Sequence, residues 1–288
     1  TDLNGVATAP TFTANLIAGS YNVNATFSGV LTPAVFAMTN RSGPPGSIVA
    51  TAGTPQSATV NTGFGVNLQV IVRDGSGNPV NNVIVTFTAP SSGASGTFGG
   101  SRTATVPTNS SGIAIAPAFT ADTLAGSYQV TAAAPEVLTP AVFSLRNTPG
   151  AASRIIATAG TPQSARVGTR FTTNFKARVT DTFNNPIQGN LVTFTPPASS
   201  GPSGTFSGVN TATTDSTGVA TAVAFTANFH AGAYTVPATA TGVATPAPFL
   251  LTNTSGVAAS ITATAGTPQS TTVNTPFPIS LQATVRDA

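Results

Sequence analysis

Apolar and polar residues alternate over Phe64–Arg73: Phe64, Val66, Leu68, Val70 and Val72 share one parity, and Gly65, Asn67, Gln69 and Arg73 the other. The same parity recurs at Phe171, Thr173, Phe175, Ala177 and Val179, and at Phe277, Ile279, Leu281, Ala283 and Val285. A period of two turns one face of a strand to a core and the other to water. Further strand-like runs are Ser47–Gln56, Val83–Ala89, Ser101–Val106, Gly112–Thr120, Ser127–Ala133 and Pro140–Arg146, separated by Gly, Pro and Asn turns. That makes about seven strands in a stretch of roughly one hundred residues. No segment repeats at 3.6 residues, and Val, Thr, Ile and Phe favour strands over helices.

The pattern itself repeats. AGTPQS begins at Ala52, Ala159 and Ala265, and AGxYxV spans Ala18–Val23, Ala125–Val130 and Ala231–Val236. Phe12, Phe119 and Phe225 are each followed by Thr-Ala. A period of about 106 residues exceeds any solenoid unit of about 20–50 residues and matches one β-sandwich. Gly- and Pro-rich stretches (Asn40–Gly46, Asn147–Ala152, Asn253–Ala258) mark the joints. The division predicted is the second half of a repeat in 1–40, a linker 41–46, a complete repeat 47–147, a linker 148–150, a second complete repeat 151–253, a linker 254–256, and the first part of a further repeat in 257–288. The short linkers and strands of seven to ten residues predict beads on a semi-rigid string, with a pitch of roughly 35–45 Å. A chain that starts and stops inside a repeat reads as a window on a longer array.

Tyr21, Tyr128 and Tyr234, the three tyrosines of the chain, hold one repeat position in Ala-Gly-x-Tyr-x-Val. In immunoglobulin-like sandwiches a tyrosine two residues before the strand-F cysteine bonds back to upstream backbone as a tyrosine corner. Val23, Val130 and Val236 stand where that cysteine would be, so packing alone must hold the layers. The fold expected is all-β: tandem immunoglobulin-like sandwiches of Greek-key topology.

The run T(D/N)xxG(V/I)A reads TDLNGVA from Thr1, TNSSGIA from Thr108 and TDSTGVA from Thr214. Together with VRDGSGNPVNNVIVTF (72–87) and VTDTFNNPIQGNLVTF (179–194), it resembles the bacterial Ig-like repeats of invasin- and intimin-type adhesins and related giant surface proteins. The resemblance implies stalk modules on a bacterial cell surface, with no catalytic residues to carry over.

Composition narrows the chemistry. The chain has 288 residues, no Cys, no Trp and one His, and only 6% of its residues are charged. Disulfide scaffolds, thiol enzymes and cysteine–zinc modules are excluded. No apolar run reaches the roughly 18 residues that span a bilayer. His230 aligns with Leu124 and Ile17, so no Ser-His-Asp constellation repeats, and no Ser or Thr has an activating base. The chain is read as non-enzymatic and without a cofactor. Asp74, Asp181 and Asp287 recur at the end of a strand, and Asp2, Asn109 and Asp215 at a turn. The first three are calcium candidates, but calcium needs about six to eight oxygens, so turn capping is the reading adopted. GASGTFGG (93–100) and GPSGTFSG (201–208) are read as flexible loops, since neither a Lys nor a helix follows as phosphate binding requires.

Repeat 151–253 holds five bases (Arg154, Arg166, Arg170, Lys176 and Arg178) against two acids, Asp181 and Asp215, while the rest of the chain balances. Lys176, Arg178, Arg166 and Arg170 are candidate contacts for an anionic polysaccharide or a neighbouring molecule. Without interleaved aromatics, nucleic acid is not expected. The sequons at Asn24, Asn40, Asn109 and Asn253 are read as chance in a Thr- and Ser-rich chain. Strand surfaces carry Thr, Ser, Asn, Gln and Ala where Lys and Glu normally guard sheet edges, which keeps lateral assembly in view. The function expected is that of a structural segment of a long extracellular array, an adhesin stalk or surface fibre whose partners are further repeats of the same chain. One alternative is a filament or sheath subunit whose domains are completed by neighbouring copies. Another is a carbohydrate-binding accessory region of a secreted enzyme, which would need exposed aromatic platforms.

Overall fold

The computed structural model describes residues 1–287, which form strands, turns and loops and no helix. Two strands come first, β1 (Gly19–Ala25) and β2 (Ala34–Asn40). The first complete repeat follows with β3 (Pro45–Ala52), β4 (Gln56–Thr59), β5 (Gln69–Asp74), β6 (Ile84–Thr88) and β7 (Gly96–Phe98). It continues with β8 (Thr103–Pro107), β9 (Ile113–Ile115), β10 (Phe119–Ala121), β11 (Gly126–Ala133) and β12 (Ala141–Thr148). The second repeat begins with β13 (Arg154–Ala159), β14 (Gln163–Arg166), β15 (Lys176–Thr180), β16 (Leu191–Phe194) and β17 (Gly204–Phe206). It ends with β18 (Thr211–Thr213), β19 (Val219–Thr221), β20 (Phe225–Ala227), β21 (Gly232–Ala240) and β22 (Ala247–Thr254). The last two strands are β23 (Ala258–Ala265) and β24 (Gln282–Asp287). The chain separates into two compact units, Thr1–Pro149 and Gly150–Ala288.

Each complete repeat is a sandwich of a five-stranded and a three-stranded sheet. In the first, the orders are β4-β12-β11-β6-β8 and β3-β5-β9; in the second, β14-β22-β21-β16-β18 and β13-β15-β19. The crossed order is that of an immunoglobulin-like Greek key. A third pairing, β10 with β7 and β20 with β17, closes one side.

The AGTPQS motif is where the first strand changes sheets: β3 pairs antiparallel with β5, whereas β4 pairs parallel with β12. The Thr54–Pro55 peptide is cis, as are Thr161–Pro162 and Thr267–Pro268. Gln56 bridges the crossing, its Nε2 donating to the carbonyls of Gly53 and Val66 while Val66 N–H donates to its Oε1. This bridge corrects one expectation. Residues 64–68 are not strand, and Val66, placed on the core face by alternation, is 53% exposed. Phe64 still reaches the core because its N–H donates to the Phe119 carbonyl.

Three further expectations shift. Gly112–Thr120 is two short strands, β9 and β10, with Pro117 between them. The 93–100 stretch is not simply a loop, since Gly96–Phe98 is strand β7 and pairs with β10. A Cβ on Gly96 would collide with the Thr120 carbonyl and the Phe119 ring, so the close pairing needs glycine. The seven expected strands become ten because Pro55 and Pro117 each fall between two shorter strands of one expected run and β7 forms where a loop was expected. Strands also reach into the expected linkers: β3 starts at Pro45, and β12 and β22 run to Thr148 and Thr254, with Asn147 and Asn253 buried within them.

Each core is closed within its own repeat. In the first, the Phe87 ring lies 6.1 Å from Phe143, and Phe98 lies 4.6 Å from Phe119. In the second, Phe175 stands where the first has Leu68 and contacts Phe194, Phe206, Phe225 and Phe249, the last at 4.8 Å. Truncating such a ring to alanine costs about 3–5 kcal/mol. The flanking pieces show what that closure does. Phe12 and Phe36, equivalent to the buried Phe119 and Phe143, are more than half exposed.

Candidate functional site

Two places gather the polar side chains singled out above: the end of the second long strand in each repeat, and the outer face of sheet β13-β15-β19. Asp74 ends β5 and is buried. Its Oδ1 accepts from the N–H groups of Ser76 (2.9 Å) and Asn78 (2.8 Å), the hydrogen bonds of a tight Asx turn. Its Oδ2 accepts from Gly43 N–H and from Asn78 Nδ2, both at 2.9 Å. Gly43 lies in the segment joining β2 to β3, so the carboxylate ties the joint to the sandwich that follows.

Asn78 extends the tie backward. Its Nδ2 donates to the Leu16 carbonyl at 2.9 Å and its Oδ1 accepts from Ala18 N–H at 3.0 Å. Residues 16–18 precede β1 and belong to the preceding repeat, so one Asp–Asn pair connects a repeat, its linker and the next repeat. The hydrogen bond from Asn78 and the N–H donors of Gly43, Asn78 and Ser76 outweigh burial and hold the Asp74 carboxyl at about 2.

The carboxylate half of this arrangement recurs. Asp181 Oδ2 accepts from Gly150 N–H and Asn185 Nδ2, both at 2.9 Å, and Asp287 Oδ2 accepts from Gly256 N–H at 2.6 Å. Burial pushes the Asp181 carboxyl up, but its four donors outweigh that and leave it below the ordinary range. The three calcium candidates are thus placed at repeat joints, where N–H groups already point at their lone pairs. No cluster of three or more His, Cys, Asp or Glu forms among the described residues.

The second recurrent acidic position caps a turn. Asp2, Asn109 and Asp215 each accept, through Oδ1, from the N–H groups two and four residues on. Asp215 also accepts from the Thr217 hydroxyl; that bond first, then the two N–H donors and nearby Lys176, keeps its carboxyl below the usual range.

The tyrosines differ from the expected corner. Tyr128 Oη donates to Asn147 Oδ1 at 2.9 Å, Tyr21 to Asn40 at 3.1 Å and Tyr234 to Asn253 at 3.0 Å. The partner is a side chain on the next strand rather than upstream backbone. Tyr128 pairs with Leu145, which puts Asn147 two residues along the neighbouring strand and within reach. Asn147, 1% exposed, in turn donates to the Ser95 carbonyl, Asp122 Oδ1 and the Leu124 carbonyl. Burial first, then the Asp122 charge, pushes the Tyr128 hydroxyl up, and burial takes Tyr234 to about 12. The sequence reading missed these asparagines; their signal was the repeated AxFxxxN at Ala34, Ala141 and Ala247. Burial of Asn253 also removes that sequon from consideration as a glycan acceptor.

His230 is exposed; its N–H donates to Asn228 Oδ1 and its carbonyl accepts from Asn253. The basic candidates separate. Lys176 and Arg178 lie on β15 with the buried Ala177 and Val179 between and beyond them, so both face outward. Arg166 is on β14 in the opposite sheet and Arg170 follows it, bonded to Asn174 Oδ1. Exposed aromatics do occur in the second repeat, at Phe183 and Phe229, the latter lying over Gly168.

No protein-family model matches the chain, and no curated protein sequence matches it. Among solved structures, it is similar to InvD of Yersinia pseudotuberculosis, at 20% identity and a TM-score of 0.54, covering 84% of this chain and 70% of that one. The chain has the fold of tandem immunoglobulin-like adhesin domains. Looser likenesses join it to FdeC, an Escherichia coli adhesin (19% identity, TM-score 0.43, 81% and 74% covered), and to domains 1–6 of the surface layer protein SbsC (15% identity, TM-score 0.36, 85% and 33% covered). With TM-scores below 0.5, these two bear no weight on the fold.

Proposed function

We propose that this chain is a non-enzymatic structural segment of an extracellular tandem array on a bacterial surface, serving as an adhesin stalk or surface fibre. The observation that carries the reading is the Gly43–Asp74–Asn78–Leu16/Ala18 relay. A flexible tether needs no buried carboxylate at its joint; a load-bearing joint gains stiffness from one. The self-closed cores agree, because a stalk module must keep its fold without help from its neighbours. The adhesin fold points the same way.

The test is direct because the chain has no native cysteine. Spin labels at Ser28→Cys and Ser101→Cys, both exposed, report the distance across the first joint by pulsed dipolar spectroscopy. The expected result is a narrow distribution that broadens in Asp74→Ala/Asn78→Ala. An equally narrow distribution in the double variant would remove the joint's role.

A further inference from the structure

We propose that the outer face of sheet β13-β15-β19 is a binding strip for an acidic polysaccharide, with Arg154, Lys176 and Arg178 as its cations. Register places them. Lys176 and Arg178 are two residues apart on the central strand, and Arg154 on β13 neighbours Thr180, the next residue of that parity and itself buried. Ile155 is buried, so Arg154 points out with its neighbours on the face. Same-face residues along a strand are about 6.6 Å apart. Lys176 and Arg178 are therefore one such step apart, and Arg154 lies one step further along but displaced sideways by one strand, about 4.8 Å, so the three form a staggered row.

The row belongs to one repeat. The corresponding positions are Ser47, Gln69 and Ile71 in the repeat before it and Ser260, Gln282 and Thr284 in the piece after it, all neutral, while the Thr180 position is Arg73 and Arg286 there, so each of those faces has one cation against three here. The chain has ten basic residues in all, so three on one sheet face is a concentration that solubility alone does not require. Groups that oppose the charge are few. Asp215 lies near Lys176 but spends Oδ1 on its own turn, and Arg178 Nε donates to the Thr217 carbonyl at 3.3 Å. Asp181 at the end of the same strand is buried and fully bonded.

The chemistry of the face selects the ligand class. Arg178 sits between Ile156 and Val219, and Thr221 flanks Lys176. Short apolar stems suit the C–H faces of pyranose rings, a hydroxyl suits their polar edges, and the cations match carboxylates spaced along a chain. The three strands bear no aromatic ring for stacking bases, which separates this face from single-stranded nucleic-acid platforms. Arg166 and Arg170, on other elements, are not part of the strip. The inference does not depend on a stiff joint, so it stands or falls separately from the stalk reading.

Oligomers of polymannuronate, titrated calorimetrically into the full chain at low salt, test it, with dextran as the neutral control. The first complete repeat already carries Ser, Gln and Ile at these positions, where they are half-buried, so Arg154→Ser/Lys176→Gln/Arg178→Ile is compatible with the fold. Binding is expected to weaken at least tenfold in that variant, and the slope of log affinity against log salt to fall by about one per cation removed. Arg166→Thr/Arg170→Gln is expected to bind within twofold of the parent. No binding to polymannuronate, equal loss in both variants, or tighter binding to phosphatidylglycerol vesicles or an oligonucleotide would overturn the proposal.

Discussion

Tyr128 and Asn147 show how a single residue pair holds two loops and a hairpin. Removing the tyrosine hydroxyl leaves Asn147 Oδ1 without its donor, and Tyr128→Phe is expected to lose about 1 kcal/mol in urea unfolding. Asn147→Ala strands the Tyr128 hydroxyl and the Leu124 carbonyl and takes one of two donors from the Ser95 carbonyl, and is expected to lose about 2–4 kcal/mol. If the two variants unfold alike, the asparagine is not the node. Asp74 gives a pH signature. Its carboxyl is held at about 2 in the folded chain, against about 3.9 for an unperturbed aspartate. The stabilisation from this depressed group is complete above the unfolded value and lost as pH falls from about 4 to about 2. Asp74→Asn is therefore expected to be less stable than the parent at pH 6 and to converge with it near pH 2. The parent-minus-variant difference in urea midpoint measures this, since Asp181 and Asp215 titrate alike in both.

Among the elements, the short β7–β10 pair depends on backbone approach rather than side-chain bulk. Gly96→Ala is expected to cost about 1–3 kcal/mol by forcing the Phe119 ring and the Thr120 carbonyl apart. Gly63, with open space at its Cβ position, is the control, and Gly63→Ala is expected to change the melting temperature little. Alternation found the long strands well: Val83, Val85, Phe87 and Ala89 are all buried, as are Val130 and Ala132. It failed at Val66 because a glutamine side chain substitutes for strand pairing there, and at Gly96–Phe98 because three residues are too few to show a period. It also could not see that AGTPQS marks a change of sheet, which is a fact about two partners distant in sequence.

For the whole molecule, the repeats provide an internal comparison. β1–β2 and β11–β12 have nearly the same pattern, yet Phe36 is 56% exposed while Phe143 is fully buried. Amide exchange in this chain is expected to be slower by orders of magnitude in β11–β12 than in β1–β2, because only the former is covered by a second sheet. Comparable rates would mean that hairpin packing, rather than sandwich closure, supplies the protection. The cationic row is another property visible only at this scale, since register across 26 residues sets Arg154 beside Thr180 on the strand that carries Lys176 and Arg178.

Period-two alternation and a near-identical motif every hundred-odd residues were enough to specify the all-β class and most core positions. These follow from burying one face of each strand, which is a local demand written into composition and parity. Which strands neighbour each other, which oxygen meets which N–H at the joints, and which charges share a face depend on contacts between residues far apart in the chain. No local pattern encodes those distances, so only the folded sandwich assigns Asp74 to a joint, Asn147 to the tyrosine and Arg154 to the strip.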